Sequence, residues 1–183
     1  MESVGFKEWS VVSEALGRGL QSILLRKGRI AEGRAGFSFR HREFFLFPTH
    51  FHEQLEKVRP IDIPIPEPDE SKIGLKYWAQ VEDTRVLISW PMAEALESLH
   101  VLRREVVRER FEDDRTPGIH LAFVRVFRVE PIWTIPCEKG YGGCRSWVNL
   151  PERPADLRFD PVLSDDQHER KRCAFSAAIC GGS

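Results

Sequence analysis

One run limits the possible folds of this chain more than any other. His120 to Val129 (HLAFVRVFRV) carries Leu121, Phe123, Val126-Phe127 and Val129, β-branched and aromatic residues at the density of a strand. The remaining apolar runs are short. Ile23-Leu24-Leu25, within Gln21 to Arg26, predicts a buried strand that ends in a turn at Lys27-Gly28. Phe37 and Phe39 alternate with polar neighbours, and Phe44 to Phe47 is stopped by Pro48. Leu75 to Val81 and Arg85 to Trp90 predict two strands joined across Glu82-Asp83-Thr84, and Arg145 to Leu150 a last one.

Helical spacing is found between these strands. Trp9, Val12, Ala15 and Leu16 recur at three- and four-residue intervals, which predicts a helix from Lys7 to Arg18, ended by Gly17 and Gly19. Pro48-Thr49 predicts a short helix through Lys57 with Thr49 near its N-cap, and Pro91 opens another that runs to His100. Val101 to Phe111 fits either a helix or a strand. Ile61 to Pro68 (IDIPIPEP) is an extended connection and cannot be a central strand.

Strands and helices do not alternate regularly, so a doubly wound parallel sheet is not expected. The expected fold class is α+β: a mixed, mainly antiparallel sheet that can curl into a partial barrel, with two or three helices. Residues 1–150 are read as a single domain. The stretch PERPADLRFDPVLSDDQHERKR has three prolines and few periodic apolar residues, so residues 151–183 are read as a mostly disordered tail.

Charge is uneven along a chain whose total is only -1. Gly17 to Arg42 holds seven basic residues (Arg18, Arg26, Lys27, Arg29, Arg34, Arg40, Arg42) against Glu32 alone, whereas Ile61 to His100 holds eight acids against three bases. The N-terminal part can therefore offer a positive surface to an anion. The competing reading spreads those charges over several faces or pairs them with the acidic middle. No run is long enough to span a membrane. The first twenty residues lack the apolar core of a secretory signal, which makes the cytoplasm the expected compartment. The cysteines there are expected as free thiols. Cys137/Cys144 and Cys173/Cys180 are each seven apart, too far for a zinc knuckle, so no metal site and no cofactor are expected.

Common catalytic signatures are missing: no phosphate loop, no dinucleotide glycine fingerprint, no nucleophile elbow, no HExxH and no EF-hand loop. Pro68-Asp69 and Glu70-Ser71-Lys72 mimic a metal-nuclease pattern, but inside a proline-rich connector.

Three constellations remain. Arg26-Lys27-Gly28 with Glu32 ends a strand in two cations and a glycine, a way to offer side chains and backbone N–H groups to a phosphate or carboxylate; the plainer reading is a solvated turn. The second gathers His41, Glu43, Pro48, Thr49, His50, His52 and Glu53. On a strand His50 and His52 share a face, whereas on a helix only one faces a site. The third is Tyr141-Gly142-Gly143-Cys144-Arg145-Ser146-Trp147. Its glycines make a tight turn next to a thiol, a hydroxyl and an indole; the plainer reading buries Cys144 and Trp147.

Together with FKEWSVVSEAL, ILLRKGRIAE, FFLFPTHFHE, IHLAFVRVFRV and YGGCRSWVNL, these segments resemble the bacterial family known as domain of unknown function 1802, over roughly residues 6–150. Matching positions are Arg26, Lys27, Gly28, Glu32, Pro48, Thr49, His52, Tyr141, Gly142, Gly143, Cys144, Ser146 and Trp147. Gly28-Arg29 and His52-Glu53 depart from the family's usual Gly-Gly and His-Gln. Association of some members with restriction-endonuclease-like domains implies a role near nucleic acid. The layout is also similar to small PUA- or ASCH-like barrels.

Three functions follow as expectations. The first is a module that binds nucleic acid or a nucleotide-like anion. Arg26, Lys27, Arg29, Arg40 and Arg42 would face phosphate, Phe37, Tyr141 or Trp147 would stack on a base, and Gly28, Glu32, Thr49, His52, Gly143 and Ser146 would complete the site. The second is a small enzyme using Glu32, His52 and Cys144 as acid, base and nucleophile. The third is an interaction protein that docks through His120 to Val129 or the tail.

Overall fold

The computed structural model describes residues 3–27, 37–64, 67–112, 117–143 and 145–181. The chain runs through β1 (Val4–Trp9), α1 (Ser10–Gly17), β2 (Ile23–Lys27), β3 (Glu43–Thr49), β4 (Lys72–Leu87), α2 (Trp90–Glu94) and α3 (Arg104–Glu112). It continues with β5 (Ile119–Pro136), β6 (Trp147–Asn149), β7 (Arg158–Pro161) and α4 (Asp165–Cys180). The strands form one sheet in the order β2-β5-β4-β3-β1-β6, with β7 added on β5. Neighbours are antiparallel except β1 and β3, which run parallel. This is the expected α+β class.

The sheet curls. β2 and β1 are four strand spacings apart, ~19 Å if the sheet were flat, beyond the reach of one side chain. Yet the Arg26 guanidinium of β2 donates to the Lys7 carbonyl of β1 and lies 4.7 Å from the Phe6 ring centroid. Curling encloses the larger apolar cluster, which holds Phe6, Leu16, Leu24, Phe44, Leu121 and Phe123; a second cluster on the other face holds Phe45, Phe47, Leu75 and Trp133.

Several elements differ from the sequence reading for identifiable reasons. Lys7, Glu8 and Trp9 belong to a strand, and the helix begins only at Ser10, because β1 is held by ladders on both sides. Its end is as expected: Gly19 adopts φ 70°, Gly19 N–H donates to Leu16 O at 3.1 Å and Leu20 N–H to Ala15 O at 3.0 Å, a Schellman closure. β3 continues through Pro48 to Thr49. Its ladder to β4 ends at Phe45, so the N–H that Pro48 lacks is not needed there. Thr49 therefore caps no helix; the residues beyond it form a 3-10 turn, His52–Lys57.

Where two strands were expected, β4 is continuous. Val81 pairs with Val124 and Asp83 with Phe123, so Glu82 is an extra residue, a bulge rather than a turn. The helix expected from Pro91 to His100 is broken into α2 and a 3-10 turn, Glu97–Leu99. Val101 to Phe111 resolves as helix α3, with Val106, Val107 and Phe111 inward.

The largest correction concerns residues 151–183. Instead of a mostly disordered tail, residues 158–161 add β7 to β5 and residues 165–180 form α4. Ser164 and Gln167 make a reciprocal capping box, with Gln167 N–H to Ser164 Oγ at 3.3 Å and Ser164 N–H to Gln167 Oε1 at 3.0 Å. The bulged Glu82 meets His168 Nε2 at 2.9 Å, and Phe175 stacks on Phe123 at 4.9 Å.

His100 is 2% exposed. Burial, and then the nearby cations Arg59 and Arg110, push its pKa from 6.5 down to about 4. As pH falls, the unfolded chain takes up a proton that the folded chain refuses. The stability that goes with a neutral His100 is whole above pH 6.5 and is lost progressively toward pH 4. Urea titrations between about pH 7.5 and pH 4.5 should lose about 2 kcal/mol through this residue, and His100→Gln should flatten that part of the profile.

Candidate functional site

The described parts of the three constellations meet on β1, at Phe6, Lys7 and Glu8. From the first, Arg26 donates to the Lys7 carbonyl, sits over Phe6 and places Nη1 3.9 Å from Glu8 Oε1. From the second, the Thr49 hydroxyl donates to the Glu8 carbonyl at 3.0 Å. From the third, the Gly142 and Gly143 carbonyls accept from Lys7 Nζ at 3.0 and 3.1 Å, and the Ser146 carbonyl accepts from Lys7 N–H at 2.8 Å. Gly143 takes φ 78°, which suits glycine and sets its carbonyl at the ammonium. The Trp147 ring lies 4.8 Å from Phe6.

Strand alternation explains the arrangement. Phe6 and Glu8 point into the curled face, toward Arg26, while Lys7 points the other way, toward the glycine turn. A residue from α3 joins them: Arg110 donates to the Leu25 carbonyl at 2.9 Å and lies 4.4 Å from the Trp9 ring centroid. Burial pushes the Arg110 pKa down to about 10, with Glu8 opposing and Arg26 adding to the shift. It stays protonated at neutral pH. Glu8 thus pairs with Arg26 and also acts on Arg110, whose charge Glu109 supports as well. Glu8 is 2% exposed, so this charge balance is set largely out of water.

Sequence reasoning missed Lys7, Glu8 and Arg110. Reading Lys7-Glu8 as the first turn of a helix concealed their opposite faces, and nothing local in EVVRERF marks Arg110. Two expected base-stacking residues are core: Phe37 is 2% and Trp147 6% exposed. Tyr141 keeps surface and rests on Phe47 at 5.3 Å. Lys27 lies half-buried at the end of β2, and Ser146 is buried. Gly28, Arg29, Glu32, Arg34 and Cys144 lie outside the described residues, as does the His52 side chain, so the proposed acid, base and nucleophile have no described geometry.

Around this hub, residues 37–42 alternate. Phe37, Phe39 and His41 turn inward, with Phe39 5.6 Å from Phe6 and His41 4.8 Å from Trp147. Ser38, Arg40 and Arg42 are exposed. His120, which edges Phe37 at 5.4 Å, has its pKa lowered by burial, which favours the neutral ring.

The model of the family described as domain of unknown function (DUF1802) matches residues 5–174. The chain belongs to the DUF1802 family. The match takes in β7 and most of α4, the part that the sequence reading set aside as tail. No curated protein matches this DUF1802 chain. Among solved structures it is similar to ASCH from Zymomonas mobilis, at 13% identity and TM-score 0.44 over 94% of each chain. Two point mutants of that protein give TM-scores of 0.42 at 11% and 14% identity, covering 94% of this chain and 95% and 98% of theirs. Among the described residues no three His, Cys, Asp or Glu side chains are grouped to hold a metal, and no helix is long and apolar enough to cross a membrane.

Proposed function

We propose that this DUF1802 protein binds nucleic acid, or a nucleotide-like anion, along the strip that carries Arg40 and Arg42 beside the Arg26–Glu8–Arg110 cluster. The observation that carries the reading is how the N-terminal cations are partnered. Arg18 pairs with Glu14 and Arg26 with Glu8, while Arg40 and Arg42 pair with no acid among the described residues. Acids of the middle segment are matched to other cations: Asp69 to Lys72, Asp83 to Arg85, Glu94 to Arg104 and Glu97 to Arg59. The two exposed arginines thus stand two residues apart on one side of a segment whose other side is anchored in the aromatic core. Such a rigidly backed pair suits successive phosphates.

The test is fluorescence anisotropy with single- and double-stranded RNA and DNA at several salt concentrations. Arg40→Ala with Arg42→Ala should weaken binding about tenfold or more at low salt. It should also reduce the slope of log K against log salt by about 1.5 to 2. Both side chains are solvent-facing, so stability should not change. A double variant that binds like wild type with an unchanged salt slope would remove this strip from the site.

A further inference from the structure

A cavity of about 180 Å³ lies between α1, the end of β3, the first half of β4 and residues 67–69 of the connector. Leu46, Pro48, Pro68 and Ile73 give it apolar walls. An apolar cavity of about 150 Å³ accommodates a benzene ring, so this one holds one six-membered ring with a small substituent.

The polar groups facing it divide into spent and unspent. Glu14 is 6% exposed, and it accepts from Lys76 Nζ at 2.7 Å and from the Tyr77 hydroxyl at 3.0 Å. Lys72 stands 3.6 Å from Asp69. The cations that line the cavity are therefore each matched to a carboxylate, and Glu67 is left at the exposed rim. Burial and Glu14 push the Tyr77 phenol up, so it remains a donor committed to Glu14.

The unspent capacity is uncharged. Ser13 is 3% exposed and its Oγ has no hydrogen-bond partner among the described residues. His50 is exposed at the cavity's edge; partial burial and Lys76 lower its pKa and so favour the neutral ring, which offers one donor and one acceptor. Among the described residues an anion entering here finds no unmatched cation, and a cation finds an unmatched acid only at the rim. A buried hydroxyl at the wall and an imidazole at the exposed edge, beside apolar walls, suit a neutral group that both donates and accepts.

We infer that this cavity is a binding site for a neutral single-ring molecule bearing an amide-like donor–acceptor edge, held by Ser13 and His50. It is separate from the arginine strip and uses none of its residues.

Benzamide is the probe, with benzoate and benzylamine as anionic and cationic controls of the same shape. Calorimetry and backbone-amide NMR on the full chain should show saturable benzamide binding with shifts at Ser13, Gly74 and Tyr77. Affinity should fall about tenfold in Ser13→Ala, a change that removes only an unpartnered oxygen and should leave the unfolding midpoint intact. Ser13→Leu, which fills the space, should abolish binding. Arg40→Ala with Arg42→Ala should leave benzamide affinity unchanged. Absence of saturable benzamide binding, equal binding of either charged control, or wild-type affinity in Ser13→Ala would each overturn the assignment.

Discussion

Phe175→Ala is expected to lower the free energy of unfolding by about 3 kcal/mol, and a chain ending at Leu150 is expected to lose its cooperative unfolding transition. Phe175 is 3% exposed and stacks on Phe123, itself 1% exposed in the middle of β5. Truncating a buried phenylalanine costs about 3–5 kcal/mol, from lost transfer energy and the cavity left behind. Here the cost falls at the lower end, because Phe175 lies near the end of α4, where the backbone can settle toward the gap. Removing residues 151–183 does far more. It strips β7 from β5, exposes Phe123, and leaves the bulged Glu82 without His168 and Arg125 without Asp165. A domain of this size is held by about 5–15 kcal/mol in total, so the sum of these losses exceeds what it can bear. Urea denaturation followed by tryptophan fluorescence checks both expectations. A truncated chain that unfolds cooperatively with a wild-type midpoint would return residues 151–183 to the status of an appendage.

Where local pattern decides structure, the sequence was legible. ILLRK and HLAFVRVFRV become β2 and the centre of β5, and Gly19, at φ 70°, closes α1. Where a partner distant in sequence decides, it was not. Lys7-Glu8-Trp9 reads as the start of an amphipathic helix and becomes a strand because β3 and β6 lie on either side of it. Glu82-Asp83-Thr84 has turn composition and becomes a bulge because β5 continues alongside. The tail had a legible start in Ser164 and Gln167, but its inward face is carried mainly by His168, Phe175, Ala178 and Ile179, too sparse a stripe among so many charges to register.

The candidate site shows the same division. Arg26, Thr49 and the glycine turn were each identifiable as unusual. What joins them is backbone and side chain of β1, and the bond from Lys7 to Gly142 spans 135 residues. A carboxylate at position 8 gains meaning only once the sheet curls and brings β2 and α3 to it. That dependence on tertiary structure gives a test in which stability and function move in opposite directions.

Glu8→Gln is expected to destabilise the protein by about 3 kcal/mol while tightening its hold on an anionic ligand about fivefold at low salt. Glutamine keeps the size of the side chain and the bond that Glu8 Oε1 accepts from Trp9 N–H at 2.9 Å, so packing and the local turn are preserved. What disappears is the negative charge that faces Arg26 and holds up the Arg110 pKa. Removing one partner of a buried ion pair leaves an uncompensated charge, typically at a cost of about 3–5 kcal/mol. Arg26 also keeps its bond to the Lys7 carbonyl and its place over Phe6, which hold the loss to the lower figure. The same uncompensated charge strengthens the positive potential beside Arg40 and Arg42. An added unit charge within about one Debye length (about 10 Å at 0.1 M salt) contributes on the order of 1 kcal/mol after screening, which sets the fivefold expectation and makes it fade as salt rises. Denaturant titration and anisotropy on one preparation read both effects. Unchanged stability would mean that water already solvates the guanidiniums. Unchanged or weaker affinity in a folded variant would separate the Arg26–Glu8–Arg110 cluster from the binding surface and leave Arg40 and Arg42 to act alone.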